Sequence, residues 1–280
     1  MGHKKKVYID PKTLNLPFAG CDSHAHIVTA PLWEERDAVL ERAKEAGVKT
    51  IGEVLLGHTQ YKNCKDYFND KEDVFFIYGL HPTDLLEIEE GEVERIYNDI
   101  VQDKKEKQKI KAVGEIGLDY FWQEVPHDLQ HDYFRKMLAV AKKCELPVVI
   151  HSRDAFEDTV AILLEEGFDG YPLLWHCFDR DSECAKIVMP HGWHISIPGS
   201  VTYKANAHVR EALHVLDRKR LLVETDSPYL SPEPWRGKPN EPAFTVFTAE
   251  CVAKELGMET AELWAQCGNN ARRFFGMNES

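Results

Sequence analysis

The sequence predicts an α/β protein that folds as a single-domain (β/α)8 TIM barrel over residues 1–280. Eight apolar, strand-like runs alternate with helical segments along the chain. This alternation implies a parallel sheet with right-handed crossovers, and eight such units in 280 residues match a closed barrel. An open doubly wound sheet is the rival architecture, but the glycine-rich phosphate turn that would follow its first strand is absent. No Pro-, Gly- or Ser-rich linker divides the chain.

The predicted strands are rich in Val, Ile, Leu, Phe and Tyr. Most of them lack a clean alternation of apolar and polar residues, as is typical of parallel strands that are buried on both faces. The eight predicted strands are 19–27, 48–56, 74–81, 110–118, 147–152, 171–178, 192–198 and 220–226.

Helices are predicted where apolar residues recur every three or four positions. One such stripe runs from Leu32 to Ala46 and is closed by Gly47, and another runs from Tyr133 to Cys144. After the eighth strand, helices are predicted near 242–256 and 260–275. The Pro-rich segment 227–242 lies between the eighth strand and these helices, at a position where a barrel carries an active-site loop.

Composition and charge restrict the class of protein. Hydrophobic residues make up 43% of the chain and charged residues 29%, and the longest apolar run is too short to span a bilayer. The basic N-terminus lacks the apolar region of a secretory signal. Seven cysteines without C-x-x-C spacing favour reduced thiols and a cytoplasmic location. The formal net charge of −13 disfavours a broad electrostatic grip on duplex DNA.

Two histidines end the first predicted strand. His24 and His26 are two residues apart, so both imidazoles lie on one face of the strand. In a barrel that face is the interior, and the C-terminal ends of the strands form the catalytic mouth. Two histidines that only make local hydrogen bonds are the alternative.

Three further predicted strands carry a residue that can bind a metal ion, either inside the strand or at its C-terminal end. Glu115 lies inside an apolar strand between two glycines, where a carboxylate is costly to bury unless it is paired or bound to a metal ion. Its oxygens could bridge two cations. His151 and His176 each end an apolar run, and a lone histidine there is more often a hydrogen-bonded core residue. The presence of two such histidines in a chain that also has an H-x-H pair and a buried Glu favours metal binding instead.

Asp226 ends the eighth predicted strand, which is adjacent to the first strand in a closed barrel. This adjacency places Asp226 near His24 and His26, although an Asp before Ser-Pro is often only a turn former. Glu224 shares its face and is either a group that positions water or substrate, or a structural ion-pair partner.

Four imidazoles and two carboxylates form a ligand set for two divalent metal ions. Because no cysteine has ligand spacing, Mg, Mn, Zn, Fe and Co all remain open. Two metal ions side by side at a barrel mouth are typical of hydrolases.

Several short motifs occur together in a fixed order, and together they are specific. In that order they are D-S-H-A-H at 22–26, G-L-H-P at 79–82, G-E-I-G-L-D-Y at 114–120, H-S-R at 151–153, H-C-F at 176–178, E-T-D-S-P-Y-L at 224–230, R-G-K-P-N-E-P at 236–242 and N-x-x-R-x-F at 270–275. Over nearly all of its length the chain resembles the TatD family of metal-dependent hydrolases, within the wider amidohydrolase-like barrels.

The resemblance implies roles for the six candidate ligands. His24, His26 and Asp226 would hold one metal ion, His151 and His176 the other, and Glu115 would bridge both. Related amidohydrolases bridge their metal ions with a carboxylated Lys, so Glu115 places this chain with the TatD branch. Asp226 would also be the catalytic general base, and it would act together with Glu115.

The family acts as phosphodiesterases on DNA ends, and some members deacylate D-aminoacyl-tRNA. The resemblance therefore implies hydrolysis of ester bonds in single-stranded or frayed DNA, or in a small phosphodiester. A C–N or carboxyl-ester hydrolase on the same barrel, such as a lactonase or cyclic amidase, is the main alternative. A catalytically silent metal- or nucleic-acid-binding scaffold is the third.

Candidate substrate-binding residues surround the predicted metal site: His81, Arg153, Glu224 and Arg236, with Lys238 on the same Pro-rich loop as Arg236. Arg153 could offer a planar fork to a phosphate. Ordinary solvated charge is the alternative for the loop residues. The stretch 189–199 contains His191, Trp193 and His194 and departs from the family pattern, so it could alter substrate choice.

Overall fold

Eight parallel strands form one continuous sheet in a computed structural model that describes residues 7–277. The strands hydrogen-bond in chain order from the first to the eighth. The strands are β1 (Gly20–Ala25), β2 (Val48–Leu56), β3 (Val74–Gly79), β4 (Ile110–Asp119), β5 (Val148–Arg153), β6 (Leu173–Trp175), β7 (His194–Ile197) and β8 (Leu221–Val223).

Helices connect the strands and cover the outside of the sheet. They are α1 (Arg36–Glu45), α2 (Gly57–Cys64), α3 (Glu92–Glu106), α4 (His127–Cys144), α5 (Phe156–Glu165), α6 (Ser182–Val188), α7 (Ala207–Ala212), α8 (Thr245–Leu256) and α9 (Thr260–Phe274). In the described part of the chain no helix combines the length and apolarity that a membrane crossing needs.

β8 returns to β1 and closes the barrel at the C-terminal ends of the strands. The backbone N–H of Asp226 donates to the carbonyl of His24 at 2.9 Å, and the N–H of His26 donates to the carbonyl of Ser227 at 2.8 Å. The Ser23 hydroxyl donates to the carbonyl of Val223 at 3.0 Å. The predicted (β/α)8 barrel is therefore confirmed, and its closure places the ends of β1 and β8 side by side.

All eight predicted strands are present, but several end earlier than predicted: β7 by one residue, β1 and β3 by two, and β6 and β8 by three. β6 ends at Trp175 rather than at 178, and β8 ends at Val223 rather than at 226. Cys177 and Asp226 have φ values of 49° and 55°, in the left-handed region, which a β-strand cannot accommodate. The predicted ligands His176 and Asp226 therefore lie just beyond the ladder.

Apolar side chains fill two layers of the fold. The main core lies between the strands and the helices, and a second cluster fills the barrel interior with residues such as Val54, Ile77 and Val149. Phe275 closes the interior at the N-terminal ends of the strands, with its ring centroid 4.4 Å from that of Phe75. The opposite, C-terminal end of the interior is lined by polar residues.

Candidate metal centre at the barrel mouth

The polar residues at the mouth continue the interior faces of the strands. Val149 packs in the barrel interior, and His151 follows two residues later on the same face of β5. Leu174 and His176 repeat this arrangement at β6. Because every second residue of a strand lies on the same face, the face that packs apolar side chains in the barrel interior presents imidazoles at the C-terminal end of the strand.

Glu115 lies at the centre of the cluster and is almost fully buried. Its Oε1 lies 2.7 Å from Nδ1 of His151 and 2.7 Å from Nε2 of His176. Its Oε2 lies 3.3 Å from Nε2 of His24 and 3.6 Å from Nε2 of His26. The two oxygens of one carboxylate therefore face two different pairs of imidazoles.

Asp226 lies on the β1 side of the cluster. Its Oδ1 lies 3.3 Å from Nε2 of His26 and 3.8 Å from Nε2 of His24. The Asp226 side chain is 16% exposed, against 3% for Glu115, so it is the more accessible of the two carboxylates. Barrel closure between β8 and β1 produces this proximity.

The structure brings all six predicted ligands together. Three groups have potential ligand atoms within 4.8 Å of one another: His24, Glu115 and His176; His24, His26 and Asp226; and His81, Glu115 and His151. His81 was predicted to bind substrate, yet its Nε2 lies 3.5 Å from Oε1 of Glu115. His81 is therefore placed as a further potential ligand.

The nitrogen atoms of this cluster suit a cation. Within residues 7–277, Nδ1 of His24 is buried and makes no hydrogen bond, and the two buried ring nitrogens of His176 lie 2.7 Å from Glu115 and 3.3 Å from Glu224. Buried polar atoms normally have a partner, and imidazole nitrogens beside carboxylates are the donor set of divalent metal ions such as zinc. The residues present fit such ions.

Both central carboxylates stay ionised. Burial alone would raise the pKa of Glu115, but the imidazoles of His176, His81 and His24 outweigh this effect and lower that pKa well below its ordinary value. Burial likewise opposes ionisation of Asp226, and the hydrogen bond and charge of His26 outweigh it and lower the pKa. Both carboxylates therefore offer anionic oxygen atoms as ligands for a cation.

Two further carboxylates contact the far sides of the imidazoles. Oδ2 of Asp119 lies 2.8 Å from Nε2 of His151, and Oε1 of Glu224 lies 3.3 Å from Nδ1 of His176. Such carboxylates set the tautomer and orientation of a metal-binding histidine. Asp119 was missed from the sequence, although it ends β4 within the motif that contains Glu115.

The prediction that Glu224 binds substrate is not consistent with its position. Its side chain is fully buried behind His176, and its second carboxylate oxygen accepts a hydrogen bond from Ser196. A side chain without exposed surface cannot reach a substrate at the mouth. Of the two roles considered for Glu224, the structure favours that of a partner for a neighbouring side chain.

Buried acids also brace the backbone beside the ligands. Asp22 accepts hydrogen bonds from the backbone N–H of Thr225 at 2.8 Å and from its hydroxyl at 2.5 Å. Burial raises the pKa of Asp22 to about 8. Glu53 accepts from the N–H groups of Ile27 and Val28, both at 3.0 Å. These bonds hold the chain next to Asp226 and His26.

The predicted substrate-binding arginines lie on different elements of the barrel. Arg153 ends β5, two residues after His151, and is exposed. Arg236 lies on the loop between β8 and α8, where its guanidinium carbon is 4.2 Å from the ring centre of Tyr203. Lys238, on the same loop, has its Nζ 5.9 Å from the ring centre of Tyr8.

The His- and Trp-rich stretch lies mostly at the wrong end of the barrel to contact substrate. His191 and Trp193 precede β7 and His194 begins it, whereas the candidate ligands lie at the C-terminal ends of the strands. Trp193 is buried and donates from Nε1 to the carbonyl of Phe168 at 2.9 Å. His191, Trp193 and His194 therefore lie away from the candidate ligands, and only the last residues of the stretch 189–199 reach the mouth.

Comparisons with known proteins agree with this geometry. The model of the family described as TatD related DNase matches residues 21–276. The metal-dependent hydrolase YabD of Bacillus subtilis is 34% identical, with 92% of this chain and 99% of that protein covered. YcfH of Escherichia coli K12, also named a metal-dependent hydrolase, is 33% identical, with 92% and 96% covered.

Solved structures share the fold. The TatD homologue YJJV of Escherichia coli K12 superimposes with a TM-score of 0.86 at 24% identity, covering 93% of this chain and 99% of that chain. A lactonase from Deinococcus radiodurans superimposes with a TM-score of 0.60 at 14% identity, covering 93% and 98%. Fold and site together define a metal-dependent hydrolase on a (β/α)8 barrel. The chain belongs to the TatD-related DNase family.

Proposed function

We propose that this protein hydrolyses phosphodiester bonds at single-stranded or frayed DNA ends. The observation that carries the proposal is the Arg153 guanidinium, which has no ion-pair partner in the described part of the chain, 7–277. It sits at the mouth, two residues beyond His151. A planar cation beside the candidate metal centre suits the charged oxygens of a phosphodiester better than a neutral amide or lactone.

The proposed centre holds two divalent ions. His24, His26 and Asp226 would bind one ion and His151 and His176 the other, with Glu115 shared between them. The two-sided contacts of the Glu115 carboxylate support this division. His81 would complete the coordination beside His151, and the 3.5 Å distance between its Nε2 and Oε1 of Glu115 supports this role.

Divalent ions bound there would lower the pKa of water and neutralise charge that develops on the phosphoryl oxygens. Asp226 is partly exposed and ionised, so it accepts the proton of the attacking water. The water oxygen then forms a bond to phosphorus while the bond from phosphorus to the leaving oxygen breaks. Arg153 holds the phosphate in place, and Asp226 can return its proton to the leaving oxygen.

The test compares metal content with cleavage of an end-labelled single-stranded oligonucleotide. Wild-type protein should contain divalent metal and cleave from an end, and a chelator should abolish cleavage. Asp226→Asn should retain part of the metal while turnover falls about 10²- to 10⁴-fold, because it lacks the proton acceptor.

Asp132→Asn is the matched control, since Asp132 lies on α4 and pairs with Lys136 at 2.6 Å. It should leave turnover unchanged. An unchanged rate after metal removal, or full activity in Asp226→Asn, would refute the proposed chemistry. Cleavage of a lactone or cyclic amide without any effect on oligonucleotides would favour the carboxyl-ester or C–N alternative.

We also propose that the protein works in a reducing compartment such as the cytoplasm. All seven of its cysteines lie in the described residues and are free thiols. Non-reducing mass analysis of protein from cell extract tests this, and a disulfide found there would contradict it.

A further inference from the structure

Two exposed aromatic side chains lie at the barrel mouth next to the candidate metal centre. Phe121 is 48% exposed and Trp122 is 50% exposed, and both follow the C-terminal end of β4. Their ring centroids are 5.0 Å apart in an edge-to-face arrangement. Together they present adjacent apolar ring surface at the rim of a polar site, which is an arrangement common to ligand-binding clefts.

The loop that carries these rings is attached to the metal centre. The backbone N–H groups of Phe121 and Trp122 both donate to Oδ1 of Asp119 at 3.0 Å. The other oxygen of the same carboxylate lies 2.8 Å from Nε2 of His151. One buried side chain therefore sets the position of the two aromatic residues relative to a candidate metal ligand.

Arg153, which we propose binds the phosphate, also contacts the aromatic rings. Asp119 on β4 pairs with Arg153 on β5, and the N–H of Tyr120 donates to the carbonyl of Arg153 at 2.9 Å. The guanidinium carbon of Arg153 lies 3.8 Å from the ring centre of Phe121. Stacking on Phe121 restricts this cation to a narrow region of the mouth.

We propose that Trp122, Phe121 and Arg153 form a nucleotide subsite, in which a base stacks on the indole of Trp122 and Arg153 binds the neighbouring phosphate. This inference rests on the proposed function. A chain with a net charge of −13 has little general attraction for a polyanion, and stacking gives affinity that does not depend on that charge. Every base has a flat ring face, so the subsite would accept single-stranded DNA with little sequence preference.

Binding and cleavage of a fluorescein-labelled oligothymidylate test the subsite. Binding is measured by anisotropy in chelator, where no turnover occurs, and cleavage is measured with the metal-loaded protein. A series of oligonucleotides carries one abasic residue at each position near the cleaved end. Trp122→Ala, Trp122→Phe and wild type are compared across this series.

The matched control is Phe18→Ala. Phe18 is 52% exposed, an exposure similar to that of Phe121 and Trp122. It precedes β1 and therefore lies at the opposite end of the barrel. Melting temperature and metal content show that each variant is folded and loaded.

Stacking predicts a specific pattern of losses. Trp122→Ala should weaken binding about 5- to 150-fold, Trp122→Phe should restore most of it, and Phe18→Ala should have no effect. One abasic position should reproduce the loss in wild type and cause no further loss in Trp122→Ala.

Two outcomes would overturn the subsite while leaving the proposed function intact. One is a wild-type protein that cleaves oligonucleotides while Trp122→Ala binds within twofold of it. The other is an abasic series in which every abasic position weakens the binding of Trp122→Ala by as much as it weakens the binding of the wild type. Failure of the wild-type protein to bind or cleave any oligonucleotide would instead overturn the proposed function, and the subsite with it.

Discussion

Asp119 illustrates how a single side chain can control a metal site that it does not enter. Nδ1 of His151 faces Oε1 of Glu115 at 2.7 Å, and Nε2 faces Oδ2 of Asp119 at 2.8 Å. For Nδ1 to bind a cation, Nε2 must carry the proton and donate it to Asp119. The Asp119 carboxylate therefore selects the tautomer of His151 that can act as a ligand.

We expect Asp119→Asn to weaken metal binding about 10- to 100-fold. The amide nitrogen of Asn would favour the opposite tautomer of His151, while its oxygen could still accept the hydrogen bonds from residues 121 and 122. Competition with a fluorescent chelator measures the dissociation constant. Glu157→Gln, at the exposed first turn of α5, is the control and should bind metal as the wild type does. An unchanged dissociation constant in Asp119→Asn would contradict the role of Asp119.

Helix α9 is the element that secures the barrel closure at the N-terminal ends of the strands. Trp264 donates from Nε1 to the carbonyl of Pro17 at 2.9 Å, and Asn270 donates to the carbonyl of Leu221 at 2.9 Å. Gly268 lets the helix approach β1 so closely that an added Cβ would lie 2.0 Å from the carbonyl oxygen of Ala19. One helix therefore contacts both strands that meet at the closure.

Gly268→Ala should lower the free energy of unfolding by about 2 kcal/mol or more, because the new methyl group overlaps a backbone atom. In an exposed helix the same substitution would instead stabilise the protein by roughly 0.5–1 kcal/mol, so the sign of the change is decisive. Urea unfolding measures it. Glu262→Ala, at an exposed position of the same helix, is the control and should change stability by no more than about 0.5 kcal/mol. A stabilised Gly268→Ala variant would show that α9 does not pack closely on β1.

Across the entire barrel, the candidate metal centre links strands that are distant in the sequence. Its candidate ligands come from the interior of β4 and from the C-terminal ends of β1, β3, β5, β6 and β8. The apolar residues beneath them pack in two clusters that contain none of these ligands. A bound cation should therefore stabilise a fold that already exists, through contacts that the unfolded chain cannot make.

Metal removal should lower the melting temperature without unfolding the protein at room temperature. Metal at 100 times its dissociation constant adds about 2.7 kcal/mol, which corresponds to roughly 4–6 °C for a chain of this size. Thermal scans in chelator and in graded Mn²⁺ or Zn²⁺ measure the shift. His58→Ala is the control, because His58 contacts Asp99 on α3 and none of the candidate ligands. Metal should raise the melting temperature of this variant by the same amount as that of the wild type. Identical melting temperatures with and without metal would refute this linkage.

Most of the barrel and its candidate ligands followed from local sequence. His24, His26, Glu115, His151 and His176 could be selected because a ligand-type side chain inside or at the end of an apolar strand is costly unless it has a partner. The strand ends were less predictable, since the left-handed conformations of Cys177 and Asp226 leave no clear mark in composition.

Contacts between strands could not be read from the sequence. Glu224 lies behind His176 rather than toward substrate, and Asp119 holds both His151 and the loop at Phe121. These roles depend on strand register, side-chain rotamers and the return of β8 to β1, which bring together residues far apart in the chain. Local patterning specifies which residues are buried at strand ends, because a strand repeats every two residues. Only the closed barrel decides which of their atoms meet, because such distances arise from packing around the full circumference.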